Sequence, residues 1–220
     1  MNLRPAEPVK PRLRGVFHEY AFFVSIATGI ALIAAASDAK ARLAASIYAG
    51  AVSALLGTSA LYHRVTWRPK ARRWMRRLDH SMIFVMIAGT YTPVALIALK
   101  GSLASTILVV LWCGALGGVI FKLVWIDAPK WLFATVYALL GLVTAAVFGE
   151  LPAAIGWLGV IGLAVGGLLY LLGAVVYASG RPNPWPKVFG YHEVFHTLVV
   201  VAAGLQYAVI AFAVLPLAHG

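Results

Sequence analysis

Seven apolar runs, each close to the roughly 20 residues a helix needs to cross a bilayer, constrain this chain more than any other feature. They are approximately Phe17 to Ala36, Ala41 to Tyr62, His80 to Leu99, Leu103 to Val124, Trp131 to Phe148, Ala153 to Ala178 and Val188 to Leu215. Backbone placed in hydrocarbon must satisfy its own N–H and C=O groups, so each run has to be a helix. The expected fold is all-α: a polytopic integral membrane protein with seven transmembrane helices. Only Gly149-Glu150-Leu151-Pro152 separates the fifth run from the sixth, and merging them would leave six spans. Composition agrees, since 62% of the 220 residues are hydrophobic and 11% charged, against about a quarter charged in soluble domains. The expected organisation is a short disordered basic tail over 1–16 and a single seven-helix domain over 17–220.

The formal charge of +11 invites a nucleic-acid reading, but its distribution argues for a membrane. Arg4, Lys10, Arg12 and Arg14 precede the first span. Seven more basic residues (Arg64, Arg68, Lys70, Arg72, Arg73, Arg76 and Arg77) lie between spans two and three. Lys122, Lys130, Arg181 and Lys187 flank the later loops on that side, whereas the opposite side holds only Lys40, Arg42 and Lys100. This positive-inside bias predicts a cytoplasmic N-terminus and an external C-terminus. The arginine-rich loop then anchors to anionic inner-leaflet lipids, with no nucleic acid as partner. The tail lacks the order of a removable signal peptide. Trp67, Trp74, Trp125, Trp131 and Trp185 flank the same loops, as an interfacial belt does. Cys113, the one cysteine, excludes an intrachain disulfide and reads as a small buried hydrophobe in span four. No internal repeat supports an inverted-repeat transporter.

Ionisable residues converge at one depth of this topology. His63 ends span two, Asp79 and His80 open span three, and His192 and His196 occupy the first turns of span seven. Glu19 begins span one on the same side. His192 and His196, four residues apart, share a helix face and can close on one metal ion; Ser59 and His63 share a face of span two. His63, His192 and His196 would offer zinc three nitrogen ligands and leave a fourth position open, the pattern of catalytic sites. Asp79 could orient a water, take its proton or fix a ligand imidazole. Ser59 could hydrogen-bond that water or a substrate carbonyl. His18, His80 and His219 read as interfacial hydrogen-bonders, His80 being turned about 100° from Asp79 along the helix. The literal H-E-x-x-H of His192-Glu193-Val194-Phe195-His196 spells a zinc-hydrolase motif. Glu193 instead reads as a first-turn carboxylate facing the headgroups, favoured by the helix dipole.

These residues in this order resemble the hemolysin III branch of the progestin and adipoQ receptor family, within a superfamily that includes alkaline ceramidases. The matching pieces are Ser59-Ala-Leu-Tyr62-His63, Leu78-Asp79-His80, Gly89-Thr90-Tyr91-Thr92-Pro93 and Gly190-Tyr-His192-Glu-Val-Phe-His196. The resemblance implies zinc held by His63, His192 and His196, with Ser59 and Asp79 beside it. It also implies amide hydrolysis of a lipid, and residence in a bacterial cytoplasmic (inner) membrane. One departure stands out: Glu19 is present, but Phe22 and Ile26 occupy the places of the family's following Asn and His.

Four functions compete at this point. The leading expectation is a zinc-dependent hydrolase of a lipid amide or ester, ceramidase-like, with Asp79 and Ser59 as catalytic residues and a membrane lipid as substrate. A pore-forming or lytic protein is the second, although a chain hydrophobic throughout has no soluble form before insertion. A receptor-like regulator with a structural zinc is the third. An intramembrane protease ranks last, because no Asp or Glu follows Glu193 to serve as an acidic ligand.

Overall fold

The structure, a computed structural model, describes residues 10–219; the tail before Lys10 and the side chain of His219 lie outside the described residues. Among those residues, seven helices are long and apolar enough to cross a membrane, as the hydropathy pattern predicts. They are α1 (Val16–Ala34), α2 (Ala39–Arg64), α3 (Pro69–Pro93), α4 (Gly101–Val124), α5 (Lys130–Leu142), α6 (Leu151–Ser179) and α7 (Tyr191–Val209). The fifth and sixth runs remain separate helices. α5 tightens into 3₁₀ turns over Val143–Val147, and the chain reverses before α6.

Local chemistry sets the helix ends. Asp38 caps α2 by accepting a hydrogen bond from the Ala41 N–H at 2.8 Å, a typical N-cap arrangement. Pro69 opens α3 at a position where a missing N–H costs nothing. Pro93 near its other end removes an intrahelical donor, and the helix widens into a π turn over Val94–Ala98. Inside α6, Gly156 takes φ 67° and breaks the helical run; a side chain would be strained there.

Sequential helices pack as neighbours, and α7 closes the bundle against α1. One apolar core is built from α3 to α6, around Phe84, Leu111, Phe133, Leu151 and Leu163. A second joins α1, α2 and α7 through Leu32, Tyr48, Leu56, Val199 and Ile210. Large apolar side chains also cover the outside: Val124, Leu158 and Phe212 are 78%, 85% and 80% exposed, as lipid-facing residues should be. Cys113 is on this outer face rather than buried as expected, because span four is apolar all round and hydrophobicity does not mark which side faces inward.

The end of the basic tail is ordered. Arg12 and Leu13 N–H groups donate to the carbonyls of Lys187 and Val188, both at 3.1 Å. This pins residues 10–15 to the loop before α7, correcting the expectation of disorder as far as 16. Four of the five belt tryptophans, Trp74, Trp125, Trp131 and Trp185, are at least half exposed at that end of the bundle.

Candidate metal centre

α2 delivers His63 from its last turn, and α7 delivers His192 and His196 from its first two. All three are buried, at 6%, 9% and 2% exposure. His63 Nε2 lies 3.2 Å from His192 Nε2, and one ring nitrogen from each residue falls within 4.8 Å of the others. Tetrahedral ligands at 2.0–2.1 Å from zinc are about 3.3 Å apart, so the cluster fits a metal ion with modest closure. Among the described residues, the Nδ1 of His196 is buried without a hydrogen-bond partner. Three mutually close imidazoles in an apolar setting suit an ion that prefers nitrogen ligands.

Asp79, in the third turn of α3, comes to the same point. Its Oδ2 is 3.8 Å from His63 Nε2 and the residue is 9% exposed. Ser59 is buried one turn before His63 and its hydroxyl reaches Asp79. The five residues singled out from sequence therefore meet in one place.

Three other expectations change. Glu19 does not join the cluster: it turns outward and pairs with Arg64 at 2.7 Å. Glu193 does not face headgroups, being fully buried. Its Oε2 accepts the Gly190 N–H at 2.8 Å, and Oε1 takes a charged hydrogen bond from Arg14. It is thus a cap and a strut between α7 and the N-terminal segment. His80 is not interfacial: its Nε2 lies 3.9 Å from Asp79 Oδ2, and it lines the central cavity.

Residues missed in the sequence complete the site. His18, 3% exposed, stacks face to face on His196 with centroids 3.8 Å apart and an 11° interplanar angle. Among the described residues, neither His18 nitrogen makes a hydrogen bond of good geometry. A polar group from span one is therefore present, one turn before Phe22, while Ile26 faces outward at 43% exposure. Gly15, at φ 82°, starts α1 so close to α2 that a Cβ there would sit 2.6 Å from His63 Cβ. Only the neighbourhood of Glu19 hinted at His18, and nothing in the pattern distinguished its face.

The cluster heads a cavity of about 350 Å³ between α3, α5, α6 and α7, within the range of small-molecule sites. His18, Ser59, Asp79, His80, His192 and His196 line its polar end, while Met86, Ile87, Phe133, Leu163 and Val199 line the rest. Gln206 lies ten residues beyond His196 on α7, about 15 Å at 1.5 Å per residue, so the cavity runs deep along the bundle. Leu142 and Leu168 line it yet are 54% and 66% exposed, which opens it sideways between α5 and α6. Outside the spans, partial burial and the guanidiniums of Arg64, Arg14 and Arg72 lower the pKa of Lys10, a measure of how densely cations crowd this end.

Comparisons with known proteins agree with this architecture. The family described as haemolysin-III related matches residues 7–207. Hemolysin-3 of Bacillus cereus is 32% identical over 206 residues, covering 92% of this chain and 91% of the relative. The Hemolysin-3 homolog of Bacillus subtilis (strain 168) is 34% identical over 155 residues, 70% of each chain. The monocyte to macrophage differentiation factor of Homo sapiens is a more distant relative, 27% identical over 194 residues and covering 86% of this chain and 78% of that one. With a family match across nearly its whole length, this seven-helix protein belongs to the haemolysin-III related family.

Proposed function

We propose that the protein is a zinc-dependent hydrolase that cleaves an acyl amide or ester of a membrane lipid. The observation that carries this reading is the meeting of His63, His192 and His196 at the polar end of a deep, laterally open cavity. His63, His192 and His196 would hold the zinc, which would supply Lewis acidity and lower the pKa of a water toward about 7. Asp79 accepts a proton from the attacking water and returns it to the leaving amine or alcohol. Ser59 donates its hydroxyl hydrogen to the scissile carbonyl oxygen as negative charge develops there. His18 buttresses the His196 ring from behind. The apolar walls hold the acyl chain, exclude bulk water and admit lipid between α5 and α6.

The charge asymmetry supports a cytoplasmic N-terminus, with the metal end on that side of the membrane, and the family resemblance supports a bacterial inner membrane. Residues Arg68 to Arg77 then rest on anionic lipids of that leaflet.

Metal analysis of purified protein tests the reading, with about one zinc per chain expected. X-ray absorption should give three nitrogen ligands and a water oxygen. Chelation should abolish turnover of acyl amide or ester lipids, and zinc should restore it. A preparation that holds no metal and is unaffected by chelator refutes the proposal. The closeness of Asp79 to His63 favours one alternative, a regulator whose structural zinc Asp79 closes. A carboxylate in place of the water, with no turnover, would select it. The lysis implied by the Bacillus cereus relative's name would gain weight from metal-independent conductance in liposomes.

A further inference from the structure

Lys122 is out of place. It sits in the last turn of α4, close to the interfacial Trp125, where a lysine ordinarily extends its ammonium into the headgroups. Instead it is 2% exposed and turns inward to line the cavity. Its Nζ lies 3.3 Å from the centroid of the Phe133 ring, a cation–π contact that offsets part of the cost of burying a charge. Among the described residues it has no ion-pair partner and no hydrogen-bond acceptor.

The other cations lining this end are engaged. Arg76 donates to Asp127 at 2.8 Å, and Lys130 donates to the Tyr191 hydroxyl at 3.2 Å. The acid nearest the metal cluster, Asp79, is closest to His63 and His80 and acts on Lys122 from farther away. Asp127 and Asp79 attract the Lys122 ammonium only from beyond ion-pair distance, and a buried ammonium with no anion in contact is unfavourable unless something brings one. The cavity has a cationic end at headgroup depth and an apolar body extending toward Gln206. That shape and charge suit an amphiphile with an anionic head.

We infer that Lys122 is a specificity-determining residue that binds the anionic phosphate of a lipid headgroup, so that the substrate is an acylated, phosphate-bearing lipid whose scissile bond lies beside the histidine cluster. This deepens the hydrolase reading and rests on it for the word substrate, while the binding itself needs no turnover.

The test uses two ligands that lack a hydrolysable acyl bond, a hexadecyl ether of glycerol and the same ether carrying a glycerol phosphate. Equilibrium binding to the purified full-length protein in neutral detergent is measured by thermophoresis. The phosphate compound should bind about ten-fold more tightly, the equivalent of about 1.4 kcal/mol. Lys122→Met, which retains apolar contact with Phe133, should erase that preference and leave the neutral ether unaffected; Lys122→Arg should keep it. Equal binding of the two ethers by the wild type overturns the inference, as does an equal loss of both in Lys122→Met. Displacement of the phosphate ether by an equimolar amount of inorganic phosphate overturns the lipid source in favour of a soluble anion. Zinc content is read on the same samples. In the wild type, equal binding of the two ethers with zinc in place sinks the headgroup site alone, and a preference for the phosphate ether without zinc sinks the hydrolase reading alone.

Discussion

Replacing Glu193 with alanine is expected to loosen the fold without touching the chemistry. Its carboxylate is fully buried, caps the Gly190 N–H and pairs with Arg14, whose side chain is 20% exposed. Removing one member of a buried ion pair costs about 3–5 kcal/mol. The lower end applies here, because Arg14 keeps some access to water or headgroups. The orphaned N–H at the start of α7 adds about 1 kcal/mol. A chain of this size loses roughly 2–4 °C of Tm per kcal/mol, so Glu193→Ala should melt roughly 10 °C below the wild type. Glu193→Gln keeps an acceptor for Gly190 and should lose less. Arg14→Met with Glu193→Leu should recover most of the deficit, since a buried pair exchanged for apolar side chains is often neutral. Thermal unfolding followed by tryptophan fluorescence, with zinc content and turnover on each variant, reads all three. The outcome that would refute the reasoning is specific: Glu193→Gln with wild-type Tm and full zinc but no turnover makes Glu193 the catalytic base after all.

The remaining predictions concern the metal end. His63→Ala, His192→Ala and His196→Ala should each purify without zinc by elemental analysis; full occupancy in any one removes that residue from the ligand set. Asp79→Asn should keep zinc yet lower turnover by about 10²–10⁴-fold, and unchanged turnover would leave Asp79 without its proton-transfer role. His18→Ala should weaken zinc affinity about ten-fold by freeing the His196 ring, while His18→Phe preserves the stack and the affinity. Identical zinc affinity in both variants and the wild type would show that the stack does not position His196.

Much of the site was legible because position along a membrane helix fixes depth. His63 at the end of one span and His192 and His196 at the start of another had to lie at the same level, and the i, i+4 spacing put the last two on one face. The spans themselves were legible for a similar reason, with α4 matching its apolar run to within two residues at its start and in full at its end. The third run was read from His80, yet α3 begins at Pro69. Its first turns carry arginines that hydropathy cannot recognise as helical.

Rotation of each helix about its own axis was not legible. His18, His80, Cys113, Lys122 and Glu193 were each assigned the right depth and the wrong surroundings. In a soluble bundle the apolar stripe reveals which face points inward, but lipid is as apolar as the core, so a transmembrane helix has no such stripe to read. Close contacts settle that rotation instead, among them Gly15 against His63 and the Arg14–Glu193 pair. By itself the sequence determined seven spans, most of their ends and a band of polar residues at one depth. Only tertiary packing decided which of those residues face one another: three imidazoles gathered, His18 stacked behind them, Glu193 turned away, and Lys122 left facing the cavity with no ion-pair partner among the described residues.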